Sequence, residues 1–154
     1  MRLDLEINNE AKSPVRKFFL NCVASDTFLN CGYDFLQEKN INISIGLVGP
    51  EKIKGLNRIY RKKDSVTDVL SFSEYKSRYA LEKIGAKNIF LGELIICYDD
   101  IERYCRKKKM DVKKELAEAV SHGILHLLGF RHGKKMFGIQ KRRGKKTHKL
   151  IKND

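Results

Sequence analysis

The chain lacks any apolar stretch of 18 or more residues, which excludes a membrane-spanning helix, and no charged-then-apolar leader precedes its first alternating segment, so secretion is not expected. The default compartment is the cytoplasm. Its four cysteines, Cys22, Cys31, Cys97 and Cys105, form no C-x-x-C pair. In a chain with no secretory signature they are expected as reduced core or surface residues, neither disulfides nor ligands. No internal repeat or low-complexity linker divides the 154 residues, so one domain with a substantial core is expected. Acidic residues are scarce, 19 Asp and Glu against 32 Lys and Arg, for a net charge of +13. The shortage is sharpest over residues 133–154, where nine basic residues meet one acid, Asp154, and a single aromatic ring, Phe137. The chain therefore divides into a domain over residues 1–132 and a basic C-terminal tail over 133–154. That tail reads either as a solvated, partly disordered segment or as a polyanion contact, most simply nucleic acid. Phosphate attraction without base readout is the expected mode, weakening steeply with salt.

Histidine, by contrast, is concentrated. Three of the four fall in the run His122-Gly123-Ile124-Leu125-His126-Leu127-Leu128-Gly129-Phe130-Arg131-His132. If Leu125, Leu127 and Leu128 continue a helix begun near Asp111, His122 and His126 project from one face about a turn apart, and one cation can touch both. Gly129 is suited to end that helix in a left-handed conformation and bring His132 back over the same face. Three imidazoles and an open position make a catalytic zinc-type site, so a divalent ion is expected, zinc first, although imidazole also suits iron, nickel and copper. Metzincin proteases share the spacing, but their general base is a glutamate directly after the first histidine, where this chain has Gly123. Glu118, one turn before His122, either orients an imidazole or pairs with Lys114.

Alternation of Leu3, Leu5 and Ile7 with Asp4, Glu6 and Asn8 reads as a strand, as does Ile41, Ile43, Ile45 and Leu47 against Asn42, Ser44 and Gly46. A helix over 13–37 is expected between them, with Val15, Phe18, Phe19, Cys22 and Val23 on one face. Pro50 can open a second helix carrying Ile53, Leu56, Asn57 and Tyr60. A third strand follows at Asp68 to Phe72, then a loop or short helix over 74–88, then a central strand from Ile89 to Cys97. A helix over 99–108 and the histidine helix, capped by Asp111, complete the pattern. The economical architecture is α+β: a mixed sheet of about four strands with helices mainly on one face.

A second block is equally informative: Leu56-Asn57-Arg58-Ile59-Tyr60-Arg61-Lys62-Lys63-Asp64-Ser65-Val66-Thr67-Asp68-Val69-Leu70-Ser71-Phe72. This block, then Leu91-Gly92-Glu93-Leu94-Ile95, then the histidine run, resembles the YbeY family of metal-dependent endoribonucleases over roughly residues 41 to 132. The resemblance implies a four-stranded α+β fold, single-strand-selective RNA cleavage, and work in small-subunit ribosomal RNA maturation and ribosome quality control. By position it makes His122, His126 and His132 the metal ligands, and Arg61 a cleft arginine in contact with substrate phosphate. Read alone, Arg61 is an ordinary arginine at a helix end. Asp64, Thr67 and Asp68 read as turn formers. The chain departs from the family at Val66, usually proline, and at Arg131 and Gly133, usually acidic. The family's C-terminal helix is hard to find among Gly133, Gly138 and Gly144.

The expected function is thus a metal-dependent endoribonuclease with Arg61 and His122 in catalytic roles and ribosomal RNA, the small ribosomal subunit and assembly proteins as partners, without membrane or DNA. An RNA-binding assembly factor with a structural metal is the second reading, and a metallopeptidase the third. Glu93, Glu118 and Asp68 stand level as candidate general bases. Water and an internal 2′-hydroxyl stand open as nucleophiles.

Overall fold

The computed structural model describes residues 1–141. In chain order the elements are β1 (Arg2–Asn9), α1 (Lys17–Asn30), β2 (Asn40–Leu47), α2 (Pro50–Arg61), β3 (Val69–Ser73), α3 (Arg78–Glu82), β4 (Asn88–Ile96), α4 (Tyr98–Lys108) and α5 (Val112–Leu127). Period-two alternation places Leu3, Leu5 and Ile7 of β1 beside Ile41, Ile43 and Ile45 of β2 in a parallel pair. Parallel neighbours need a crossover, and α1 supplies it. The strand order is β1-β2-β4-β3, with β4 parallel to β2 and antiparallel to β3. The apolar run of β4 is therefore central, as its composition predicts, and the sheet is mixed and four-stranded.

The main core lies between one sheet face and the helices, joining Leu5, Ile43, Ile45, Leu91, Leu94 and Ile96 to residues of α1, α4 and α5. A smaller cluster of Val48, Ile53, Leu70, Ile95 and Cys97 occupies the other face, with Ile53 contributed by α2. Helices thus cover mainly one face, and α2 closes part of the second. The four cysteines are free thiols, three of them buried. No helix among the described residues is long and apolar enough to cross a membrane.

Three features depart from the sequence pattern. The helix expected over 13–37 is shorter, because Pro14 disfavours helical backbone before it and the chain turns at Gly32, with φ +73°. Only a 3-10 turn at Asp34–Leu36 follows. The second departure is in β4, where the register to β2 slips between Asn42 and Ile43, pairing Phe90 and Gly92 with those consecutive residues and leaving Leu91 as the extra one. Leu91 and Leu94 consequently both reach the main core, three positions apart. Gly92 carries the bulge with φ +137°.

Residues 134–141, inside the segment expected as a basic tail, are helical. Met136 and Ile139, each 1% exposed, join the main core, so packing continues past the boundary drawn at residue 132. Two apolar side chains three apart are too short a periodicity to stand out among lysines and glycines. The rest of the basic tail, 142–154, lies outside the described residues.

Candidate metal centre

Helix α5 begins where Asp111 Oδ1 accepts the Lys114 N–H at 3.0 Å, the cap expected from the sequence. Thr27 Oγ1 donates to Val23 O at 2.8 Å and shares a hydrogen bond with the Ser121 hydroxyl at 3.0 Å, which joins α1 to α5 one residue before the first histidine. The helix ends in a complete Schellman motif: Gly129 N–H donates to His126 O at 3.0 Å, and Phe130 N–H to Leu125 O at 2.9 Å. Gly129 has φ +84°, and a Cβ there would lie 2.8 Å from Arg78 N. The turn is buttressed from α1's far end. Tyr33 O–H donates to Leu128 O at 3.1 Å, and its ring stacks on Phe130 at 5.0 Å between centroids. Desolvation pushes the Tyr33 phenol up to about 12, so it stays a donor at neutral pH. Sequence spacing marked Gly129 but gave no sign of Tyr33, whose partner lies 95 residues away.

This turn returns His132 to the face of His122 and His126, and one ring nitrogen of each lies within 4.8 Å of the others. His126 Nε2 and His122 Nε2 are 3.0 Å apart. The other nitrogen of His126, Nδ1, is 3.0 Å from Phe130 O. A carbonyl only accepts, so Nδ1 carries the proton and the Nε2 lone pair faces the cluster. Burial, reinforced by His126 and His132, pushes His122 down to about 4. Burial also lowers His126, against the raising effect of the Phe130 carbonyl, with further lowering by His132 and Arg61. Both imidazoles are therefore neutral at pH 7, the ligating form. Three ring nitrogens converging at this separation fit a small cation. Gly129→Ala should cost about 2 kcal/mol from left-handed strain and crowding, and weaken zinc binding about tenfold by shifting the Phe130 carbonyl. Thermal melts and zinc competition against a chromogenic chelator measure both. Unchanged zinc affinity would mean that the turn does not orient His126.

The three histidines open on a cleft of about 1430 Å³ between α5, β3, the end of α2 and the C-terminal helical stretch. Arg61 lines it, its Nη2 donating to Ser71 O of β3 at 2.8 Å, which fixes the guanidinium over the cleft. Buried Asn57, one turn earlier, donates to Ser65 O at 2.9 Å and anchors that end of α2. Asp68 Oδ1 accepts from Val69 N–H at 2.9 Å and from Thr67 Oγ1 at 3.3 Å, the turn-forming role expected. Of the three candidate bases, Glu118 and Asp68 line the cleft, whereas Glu93 pairs with Phe72 in the sheet and is exposed outside it. Glu118 accepts from Gln140 Nε2 at 3.4 Å, a contact with the C-terminal helical stretch that spacing along α5 did not indicate. Gly123 faces the sheet, where a Cβ would lie 2.8 Å from Leu94 Cδ2. A glutamate at that position would be driven into the core, so the site has no place for the metzincin base.

Fold and site together define a class, an α+β domain with a three-histidine centre on one helix and the turn that follows it. The family model described as Endoribonuclease YbeY matches residues 6–148, and the chain belongs to that family. A Dehalococcoides mccartyi protein named Endoribonuclease YbeY is 37% identical over 141 residues, 83% of this chain and 78% of that protein. A Buchnera aphidicola protein of the same name is 38% identical over 95 residues, 62% of this chain, and the match spans 58% of that relative's length. The solution structure of a Thermotoga maritima protein aligns with a TM-score of 0.60 at 25% identity, over 98% of this chain and 96% of that one. The resemblance carried by the three sequence motifs is therefore upheld at the level of family and fold.

Proposed function

We propose that the protein is a metal-dependent endoribonuclease that cleaves single-stranded ribosomal RNA in the cytoplasm, acting in maturation of the small-subunit RNA 3′ end and in ribosome quality control. The observation that carries this reading is the convergence of three imidazoles, one ring nitrogen of each within 4.8 Å of the others, beside an arginine held in the same cleft. Family membership supports the choice of RNA as substrate.

His122, His126 and His132 would hold a divalent ion, with zinc the expected one. When bound, the ion supplies Lewis acidity that activates water and offsets phosphate charge. His126 keeps its lone pair inward through Nδ1 and the Phe130 carbonyl. Arg61 offers planar donors to the non-bridging oxygens of the scissile phosphate, and its bond to Ser71 O fixes those donors before substrate arrives. Lys63, Lys114 and Lys141 on the cleft wall draw in the RNA backbone by charge. Glu118 and Asp68, which line the cleft, are the two carboxylates carried forward as candidate proton acceptors.

The test is incubation of a single-stranded ribosomal RNA fragment with purified protein, with and without chelator, beside Arg61→Ala. Chelation is expected to abolish cleavage, and Arg61→Ala to lower kcat/KM about a hundredfold. Salt-sensitive binding with no cleavage by the metal-loaded protein would replace this reading with the assembly-factor one. Cleavage equal in all samples would expose a contaminating nuclease.

A further inference from the structure

Phe137 is a large apolar side chain left 62% exposed, and it lines the same cleft as the three histidines and Arg61. Nothing in the core accounts for it, since Met136 and Ile139 of the same helical stretch fill the buried positions. Those two residues hold the stretch against the domain, the Phe137 N–H donates to Gly133 O at 3.1 Å, and Gln140 ties the stretch to Glu118 of α5. The ring is thus presented from a fixed backbone. Lys141 lines the cleft beside it, and Lys134 and Lys135 are exposed on the same stretch.

An exposed aromatic ring among cations, on the wall of a cleft, suits one ligand chemistry above others: an unpaired nucleobase whose phosphates the lysines attract. We infer that Phe137 is a base-stacking platform, holding one unpaired base of the substrate strand beside the histidine centre. The inference rests on the ribonuclease reading and deepens it, because the faces of a base are open to an aromatic ring only outside a duplex. Selection for single strands then comes from this ring, and base stacking adds to the phosphate attraction expected from the charge of the segment. Stacking contributes to ground state and transition state alike, so its loss raises KM and leaves kcat nearly unchanged.

The chain contains no tryptophan, so Phe137→Trp introduces a single indole reporter. With metal-loaded protein, titration by a 2′-O-methyl single-stranded oligonucleotide is expected to quench its fluorescence. A duplex of the same sequence should not, nor should the single strand quench Tyr79→Trp, at an exposed residue that does not line the cleft. In cleavage assays Phe137→Ala is expected to raise KM about tenfold with kcat within about twofold, Phe137→Tyr to restore KM, and Phe137→Leu not to. Equal melting temperatures are expected, because the ring is exposed. Wild-type cleavage with an unchanged KM in Phe137→Ala, or equal quenching in Tyr79→Trp, overturns this inference alone. Should the wild type bind RNA without cutting it, the quenching contrast decides the role of Phe137 while the nuclease reading fails. Absence of any RNA binding overturns both.

Discussion

His126→Ala is expected to abolish metal retention and to lower RNA cleavage by on the order of a thousandfold or more, while leaving the far-ultraviolet circular dichroism intact. Of the three histidines, His126 has the most closely defined ring: Nδ1 faces the Phe130 carbonyl at 3.0 Å and Nε2 faces His122 Nε2 at 3.0 Å. Removing it leaves two imidazoles, one of them the exposed His132. Two imidazoles hold a divalent ion far less tightly than three, one of them with its tautomer fixed by the Phe130 carbonyl. Loss of one preorganised electrostatic group alone commonly costs 10²- to 10³-fold in rate, and here the whole centre goes with the ligand. Elemental analysis of dialysed protein and single-turnover cleavage are the two measurements. Wild-type cleavage by a variant that retains no metal would remove the ion from the mechanism.

Gly92→Ala is expected to destabilise the fold by about 3 to 5 kcal/mol, a large share of a domain stability of roughly 5 to 15. The backbone there has φ +137°, and an added Cβ would sit 2.1 Å from Phe72 O and 3.1 Å from Leu127 Cδ2. The first neighbour is backbone in the adjacent strand β3 and cannot rotate aside. Relief would require β3 to move off β4, which breaks the pairing of Gly92 with Ser73 and of Glu93 with Phe72. It would also disturb Ser73 Oγ, which donates to Leu127 O at 3.0 Å beneath the histidine centre. Urea unfolding should show a markedly lower midpoint, and a thermal midpoint drop of roughly 6 to 20 °C is expected for a chain of this size. A change within about 0.5 kcal/mol would mean that the bulge relaxes without cost.

Much of the fold was legible because its signals are local. Leu3, Leu5 and Ile7, then Ile41, Ile43, Ile45 and Leu47, alternate as half-buried strands must. Pro50 stands at the start of α2, and Asp111 caps α5. The end of α1 was less legible, since the apolar residues Phe28, Phe35 and Leu36 continue past a turn that one glycine conformation decides. The helical stretch over 134–141 was hidden for the opposite reason, too few apolar residues to carry a period.

The candidate site divides in the same way. Spacing alone places His122 and His126 on one helical face, and Gly129 allows the reversal that brings back His132, because 3.6 residues per turn and a left-handed cap are properties of the chain itself. Sequence also determined the basic charge and the lack of a glutamate after His122. Tertiary structure decided what those residues meet. It brought Ser71 O to Arg61, the Tyr33 ring to Phe130, Phe137 to the wall of the cleft, and Glu93 out of it. It also turned Gly123 toward Leu94. Each of these depends on one element packing against another, from the 10 residues that separate Arg61 and Ser71 to the 95 between Tyr33 and Leu128. Backbone periodicity specifies which face of an element is buried, but which neighbour lies across that face is fixed only when the whole core packs.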